Sequence, residues 1–261
     1  MIAGIFHQGS GVGNQLHRYV ATRVLAEDKG YDFGMVAPEL FKGKSFMDLK
    51  LGLGSHTYSI EPQSGKVIPF SHPYLWEEKK VTENGIDIRS YDPEINWVPD
   101  GAIIDGEFQD EKYFKHRLDD VRRWLAVEPL NMPDDLCIIG FRGGEFTVFP
   151  DLFLTKEYWV AAIEIMLRAN NDMRFEVHTD DPITAQKLFP DFKVIHDVGV
   201  NWRSVRYAKH LIISNSSFYI LPSLLNEDVE QVVAPRFWAR RNIGVWAMPS
   251  NHYSDPRWKY I

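Results

Sequence analysis

The stretch that decides the fold is HLIISNSSFYILPSLL, from His210 to Leu225. It begins with a short apolar run, breaks at the small polar residues 214–217, and resumes as an apolar segment of helical length. The pattern predicts a buried strand that leads directly into a helix. The first N–H groups of a helix have no partner within it, so a helix start attracts anions. In an open α/β sheet this position lies at the carboxyl end of a strand, where phosphates bind. Plain N-capping by the Ser and Asn side chains is the alternative.

Apolar runs alternate with helical patterns along most of the chain, which predicts two domains, each built on a parallel sheet. The segment Pro129–Pro133 is interpreted as a linker, so the domains span residues 1–128 and 134–261. Residues 41–99 are expected to form loops with short elements on an acceptor-facing surface. Strands are predicted at Met1–Phe6, Phe33–Val36, Gly101–Ile104, Leu136–Phe141, Met173–His178, Lys193–His196 and Leu211–Ser214, and helices at Asn14–Asp28, Tyr113–Val127, Lys156–Ala169, Thr184–Phe189 and Trp202–Ala208.

Composition excludes several classes of protein. The 261 residues are 44% hydrophobic, enough for a sizeable core, and the net charge of −7 argues against a general nucleic-acid or membrane-surface binder. The single cysteine, Cys137, lies in an apolar run, so disulfides are excluded and it is expected to be a buried strand residue. No apolar stretch approaches membrane-spanning length and no charged leader follows Met1, so we expect a cytoplasmic protein without stable membrane insertion.

A glycine-rich loop, Gly9-Ser10-Gly11-Val12-Gly13-Asn14-Gln15, follows the first predicted strand and opens the first predicted helix. That context is the one a ligand-binding loop requires, although a turn without a ligand is equally compatible with it. The loop lacks the Lys-Ser/Thr of a P-loop and fits a dinucleotide fingerprint only loosely. The amides of Asn14 and Gln15 at the helix start are expected to present donors and acceptors to a ligand.

Two further loops follow predicted strands of the second domain. In Gly140-Phe141-Arg142-Gly143-Gly144-Glu145, the guanidinium of Arg142 is suited to pair with a phosphate, whereas Glu145 is either a base or a neutralising partner of that arginine. In His178-Thr179-Asp180-Asp181-Pro182, a carboxylate at the strand end is suited to accept hydrogen bonds from a base or ribose. The alternative for the aspartates is an N-cap of the next helix.

A metal site and a serine hydrolase are both poorly supported. The histidines are scattered, no His/Asp/Glu cluster has ligand spacing, and no serine lies in a Gly-x-Ser-x-Gly elbow. We therefore expect neither a metal nor another cofactor.

Together the loops resemble glycosyltransferase family 11, the α-1,2-fucosyltransferases, within the wider α-1,2/α-1,6/protein O-fucosyltransferase group. The similarity consists of landmarks in the same order along nearly the whole chain. They are Gly11–Leu16 (Gly-Leu-Gly-Asn-Gln in the family), Gly106–Phe114 (Gly-Tyr-Phe-Gln-x-x-x-Tyr-Phe), Arg142–Phe146 (His-x-Arg-Arg-Gly-Asp-Tyr), Thr179–Asp181 (a second motif), Ile213–Phe218 (Ile-Ala-Asn-Ser-Ser-Phe) and Ala234–Trp238 (Gly-Pro-x-x-Trp).

The resemblance implies a GT-B architecture, with two Rossmann-like domains facing across a cleft. It also implies inverting transfer of fucose from GDP-fucose to a glycan hydroxyl without an essential metal, as in polysaccharide biosynthesis. Arg142 would hold the β-phosphate and stabilise the leaving GDP, and Asp180 would bind guanine. The pyrophosphate would lie on Asn215, Ser216, Ser217 and Phe218, and Gly11, Gly13, Asn14 and Gln15 would complete the donor site from the first domain.

The chain departs from the family pattern at several motif positions: Gly140 replaces the His, Gly143 the second Arg, Glu145 the Asp, and Tyr219-Ile220 a Trp-Trp pair. For a single inverting displacement we predict Glu145 as the base, with Asp151 behind it.

Two other readings of the sequence stay open. One is a catalytically lapsed relative that binds a nucleotide or glycan without transfer, and the other is a metal-dependent transferase of a different architecture. The sequence names neither the acceptor nor the oligomeric state.

Overall fold

The computed structural model describes residues 1–52, 57–70, 74–83, 86–149, 151–237 and 254–261. The chain forms two compact units, Met1–Ala126 and Val127–Ile261. The predicted linker, 129–133, falls just after this division and contains no helix or strand.

Unit 1 is built on a parallel sheet. In chain order its elements are β1 (Ile2–Ile5), α1 (Val12–Lys29), β2 (Phe33–Val36), β3 (Tyr58–Ile60), β4 (Val67–Pro69), β5 (Leu75–Glu77), β6 (Lys80–Glu83), β7 (Ile86–Arg89), β8 (Ile103–Asp105) and α2 (Leu118–Trp124). The sheet has the order β2-β1-β8-β5, with all three pairings parallel, while β3-β4 and β6-β7 form separate antiparallel hairpins. Short 3₁₀ helices occupy Pro38–Leu40, Pro93–Trp97, Glu111–Tyr113 and Lys115–Arg117.

The first helix forms where its apolar stripe predicts it and ends at the expected glycine. Gly30 has a φ of 68°, a left-handed conformation that glycine adopts without strain. The N–H of Tyr31 then donates to the Ala26 carbonyl at 2.9 Å, which satisfies a carbonyl at the helix end. The absence of a side chain at Gly4 lets the helix pack directly on β1, since a Cβ there would collide with Thr22.

The predicted helix Tyr113–Val127 is wrong in its first part, because regular α-helix covers only Leu118–Trp124. The residues before it form two 3₁₀ turns. Asp110 caps the first of these by accepting from the Lys112 N–H at 3.0 Å, and Phe114 has φ −147° and ψ −7°, which interrupts any helix at that point. The local cap therefore overrides the helical spacing of the apolar residues.

Unit 2 contains a six-stranded parallel sheet. Its elements are β9 (Leu136–Phe141), α3 (Lys156–Ala169), β10 (Arg174–Thr179), α4 (Pro182–Leu188), β11 (Lys193–Ile195), α5 (Val198–Tyr207), β12 (His210–Ile213), α6 (Ser217–Leu225), β13 (Gln231–Ala234) and β14 (Trp258–Tyr260), with a 3₁₀ helix at Gly144–Val148. The strand order is β11-β10-β9-β12-β13-β14, and every pairing is parallel.

The central strand β9 is buried at all six positions, which explains its uninterrupted apolar sequence. Cys137 is fully buried on it, as predicted, and burial raises the pKa of its thiol. At the carboxyl end, Phe141 lies 5.5 Å from the Trp159 ring and 5.9 Å from the Phe189 ring, and those two rings lie 5.6 Å apart. This aromatic triangle joins β9 to α3 and to the end of α4, and so fixes the point from which the loop beginning with Arg142 leaves the sheet.

Candidate functional site

The strand order of unit 2 defines where a ligand is expected to bind. Numbered along the chain within this unit, the order is 3-2-1-4-5-6, in which the connections reverse direction between β9 and β12. In open α/β sheets, ligands bind at the carboxyl ends of the strands beside such a reversal, the topological switch point. Ser214 continues the ladder there, because its N–H donates to the Gly140 carbonyl at 2.9 Å. The loops after β9, β10 and β12 therefore meet at one edge, and these are the loops selected from the sequence.

Arg142 lies directly after β9 and is paired with two carboxylates. Its Nη1 donates to Asp180 Oδ2 at 2.6 Å, and its Nη2 donates to Glu145 Oε1 at 2.8 Å. The guanidinium carbon also lies 5.3 Å from the centre of the Phe146 ring, within cation–π range. The Arg142 side chain is 26% exposed, so part of it is accessible to solvent. The group as a whole carries one positive and two negative charges.

Asp180 anchors this group to the backbone. Its Oδ1 accepts from the Gly143 N–H at 3.0 Å, while its other oxygen holds Arg142. Gly144 has a φ of 44°, and a Cβ there would lie 2.5 Å from Asp180 Oδ2. A Cβ on Gly143 would likewise lie 2.5 Å from the Cβ of Asp181. The two glycines are therefore required for the close approach of this loop to the end of β10.

Asp181 has the capping role that the sequence offered as an alternative. Its Oδ1 accepts from the Thr184 N–H at 3.0 Å, at the start of α4. Burial raises the pKa of Asp181, but hydrogen bonds from Thr184 and neighbouring backbone N–H groups outweigh that effect and leave it below its ordinary value. The adjacent aspartates thus divide into a helix cap and a partner of Arg142.

The segment after β12 forms the other side of the switch point. Helix α6 begins at Ser217, and Ser216, in the N-cap position with φ −126° and ψ 126°, makes no side-chain capping bond. Asn215 is buried and its amide donates to the Leu152 carbonyl at 2.9 Å, which holds the loop that leads into α3. The ring of Phe218 packs 5.6 Å from the ring of Trp202. The Asn215 amide and the Phe218 ring therefore make contacts within unit 2, and the start of α6 is the part of this segment to which the general affinity of helix N-termini for anions applies.

Tyr219 fills the space left by Gly140. A Cβ on Gly140 would lie 2.7 Å from both Cγ and Cδ1 of the Tyr219 ring. The Tyr219 hydroxyl donates to the His178 carbonyl at 2.7 Å and lies 3.3 Å from the Phe141 carbonyl. In the family that these loops resemble, a histidine stands at the position of Gly140. The Tyr219 ring fills the space that the side chain of such a histidine would need. Sequence reasoning named Tyr219 only as a departure from the family's Trp-Trp pair and missed its contact with Gly140, which lies more than 70 positions away in the chain.

In unit 1, the predicted donor-binding residues have different environments. Gly11 precedes α1, and a Cβ there would meet no heavy atom within 4 Å, so the turn is open. Asn14 Oδ1 accepts from Gln109 Nε2 at 3.0 Å. Gln15 is fully buried, and its amide is used inside the unit: Nε2 donates to the Leu40 carbonyl at 2.8 Å and Oε1 accepts from the Lys42 N–H at 3.0 Å. Gly13 lies buried within the first turn of the helix. We therefore leave Gln15 out of the proposed binding residues.

A charged network that sequence reasoning missed lies at the carboxyl ends of β1 and β8. His7 Nε2 lies 2.9 and 3.0 Å from the two oxygens of Asp105, and its Nδ1 accepts from the Val67 N–H at 2.8 Å. Arg18 donates to Glu107 Oε1 at 2.8 Å. Burial raises the pKa of Asp105, but the hydrogen bond from His7 and the charge of Arg18 outweigh it and leave the pKa lowered.

The hydrogen bonds of His7 exclude it as a proton acceptor in this conformation. Because Nδ1 accepts a backbone N–H, the ring proton must be on Nε2, where it is donated to Asp105. Neither nitrogen has a lone pair available to a ligand. The one signal in the sequence was position: His7 and Asp105 each follow an apolar strand, and β1 and β8 are parallel neighbours.

Other predictions concern metals, membranes and the end of the chain. Within the residues that the structure describes, no group of three or more His, Cys, Asp or Glu side chains could hold a metal ion. No helix in the described ranges is long and apolar enough to cross a membrane. Of the landmark Ala234–Trp238, β13 ends at Ala234, and Trp238 lies outside the described residues.

Comparison with known proteins supports the fold. No protein-family model matches the chain. No curated protein matches it by sequence. Two solved structures of E. coli heptosyltransferase WaaC are similar to it, one with ADP and one with ADP-2-deoxy-2-fluoro heptose. Their TM-scores are 0.50 and 0.49, each is 12% identical in sequence, and the matches cover 100% of this chain and 92% and 93% of theirs.

At 12% identity the likeness shows the fold alone. The chain has the GT-B kind of architecture, with Rossmann-like parallel sheets in both units, as the sequence predicted. Membership of the fucosyltransferase family is not established by this comparison.

Proposed function

We propose that this chain is a glycosyltransferase that binds the diphosphate of a nucleotide sugar at the switch point of unit 2. The observation that carries the proposal is the placement of Arg142 and the start of α6 after the neighbouring strands β9 and β12. A fixed cation beside the first turn of a helix forms the kind of site that binds phosphate and stabilises a leaving diphosphate. The similarity to WaaC, which has been solved with ADP, supports the same class of ligand.

The residues proposed for the donor are Arg142 and the backbone of Ser216, Ser217 and Phe218. Asp180 holds Arg142 in the structure, so we assign it to positioning that arginine rather than to reading guanine. The resemblance in the loops favours GDP-fucose as the donor and a glycan hydroxyl as the acceptor. The base stays a prediction: Glu145, named from the sequence, is engaged by Arg142, and Asp151 is the second candidate.

The alternative, a relative that binds a nucleotide without transferring a sugar, is favoured by two observations. Two carboxylates already neutralise Arg142, and Gly143 stands where the family has a second arginine. Binding and transfer therefore have to be measured separately.

Thermal shifts with GDP, UDP, ADP and CMP test the proposal first. A ligand at 100 times its Kd stabilises the folded state by about 2.7 kcal/mol. We expect stabilisation by a nucleoside diphosphate in the wild type and its loss in Arg142→Gln; the absence of any shift with all four nucleotides would refute the proposal. Release of nucleotide from a matching nucleotide sugar, with and without acceptor, then separates a transferase from a binding protein. Loss of that activity in EDTA would favour the metal-dependent alternative.

A further inference from the structure

The three charged residues of the switch point are held with unequal strength. Asp180 has two anchors, the Arg142 guanidinium at 2.6 Å and the Gly143 N–H at 3.0 Å. The backbone of Gly144 also lies close against this carboxylate, since a Cβ there would lie 2.5 Å from Asp180 Oδ2. Asp180 is therefore a fixed partner of the arginine.

Glu145 is held by far less. Its side chain is 65% exposed, whereas that of Asp180 is 31% exposed. Within the described residues, its carboxylate has a single hydrogen-bonding partner, Nη2 of Arg142 at 2.8 Å. An exposed ion pair of this kind contributes little to stability, because water solvates both charges and the side chain loses freedom. Rotation of the Glu145 side chain is enough to free Nη2 of Arg142, while Nη1 stays bound to Asp180.

Nη2 is also the part of Arg142 that a phosphate would need. Nη1 stays with Asp180, so a phosphate that binds two donors of the fork would use Nη2 and its neighbours, and Nη2 is the nitrogen that Glu145 contacts. Two anions cannot share them without repulsion, since a carboxylate and a phosphate would then lie within hydrogen-bonding distance of the same group.

We infer that Glu145 is a built-in competitor for the phosphate position, an internal carboxylate that a diphosphate displaces from Nη2 of Arg142 while Asp180 keeps the guanidinium in place. This inference rests on the diphosphate site of the proposed function, not on its nucleotide, and defines the ligand more closely: a pyrophosphate group, alone or within a nucleoside diphosphate. It also gives Glu145 a role other than that of the base. Its charge lowers affinity and so favours release of the diphosphate product.

The test compares Glu145→Gln with a matched control, Glu164→Gln. Glu164 is an exposed residue on α3 of the same unit that pairs with Arg168 one turn later at 3.4 Å, so both variants lose one surface carboxylate and one ion pair. Isothermal titration calorimetry of the full chain would measure the Kd of inorganic pyrophosphate, ADP and GDP for the wild type and both variants. Low ionic strength is used because the screening of charges is weakest there.

We expect Glu145→Gln to bind pyrophosphate roughly 3- to 10-fold more tightly than the wild type, as for removal of one nearby like charge at the surface. The control should remain within about twofold, the change left by a distant charge under screening. Equal or weaker binding of pyrophosphate by Glu145→Gln would overturn the inference.

The two kinds of probe separate the failure of this inference from the failure of the proposed function. If pyrophosphate binds more tightly to the variant but no nucleotide binds any form, the inference stands and the nucleotide-sugar proposal falls. If nucleotides bind the wild type and Glu145→Gln does not tighten them, the proposal stands and the inference falls. If none of the three probes binds any form, both fall.

Discussion

Replacement of Gly140 by alanine tests whether the Tyr219 ring determines the shape of the switch point. A Cβ at position 140 would lie 2.7 Å from two ring carbons and 3.1 Å from a third, whereas ordinary van der Waals contact begins near 3.4 Å. The ring cannot easily yield, because Tyr219 is 2% exposed and its hydroxyl is bound to the His178 carbonyl. Overpacking typically costs about 1–3 kcal/mol, and loss of the hydroxyl bond would add about 1 kcal/mol. We therefore expect Gly140→Ala to lower the free energy of unfolding by about 2–4 kcal/mol.

Urea unfolding, followed by circular dichroism and tryptophan fluorescence, measures this loss. A double-mutant cycle assigns it: in the Tyr219→Leu background, where the ring is absent, Gly140→Ala should cost less than about 0.5 kcal/mol. Gly11→Ala is the control for glycine replacement itself, because its φ of −71° suits alanine and no atom is near. An unchanged stability of Gly140→Ala, or an equal cost in both backgrounds, would refute the reasoning. By the same argument, Gly140→His should destabilise unit 2 rather than introduce the nucleotide preference of the family histidine.

Three further outcomes follow from buried polar groups. Gln15→Leu should lower the free energy of unfolding by about 1–3 kcal/mol, because the Gln15 amide satisfies the Leu40 carbonyl and the Lys42 N–H. The Kd for ADP, measured by calorimetry, should not change. Weaker ADP binding with unchanged stability would instead indicate that Gln15 contacts the donor. Tyr219→Phe should cost about 1–2 kcal/mol in urea unfolding, since the buried His178 carbonyl loses a donor, and a neutral result would show that this bond is replaced. Burial lowers the pKa of His178 from 6.5 to about 4, so the unfolded state binds the extra proton and stability falls as the pH drops from 6.5 towards 4. Between pH 7 and 5 the wild type should lose about 1–2 kcal/mol more than His178→Gln, and equal losses in the two proteins would contradict that shift.

Local sequence determined most of the elements that carry the site. The strand Leu136–Phe141 and the helix Lys156–Ala169 occur with the predicted bounds, since a strand buried on both faces reads as an apolar run and an amphipathic helix keeps its own period. The strand-to-helix turn around Ser214–Ser217 was predicted for the same reason. The predicted helix at Tyr113–Val127 was partly wrong because the Asp110 side chain caps a 3₁₀ turn at Glu111–Tyr113. The spacing of apolar residues does not register such a cap.

What the sequence by itself determined is the set of loops: which residues follow which strand, and that Arg142, Asp180 and the Ser216–Ser217 turn stand at carboxyl ends. Only the tertiary structure decided how those residues pair. The strand order brings β9 between β10 and β12, so Arg142 meets Asp180 from one side while Tyr219 closes over Gly140 from the other. Such pairings depend on distances between segments that are 38 and 79 positions apart in the chain, which no local pattern encodes. For the same reason His7 and Asp105, 98 residues apart, form a network that only the parallel contact of β1 with β8 creates.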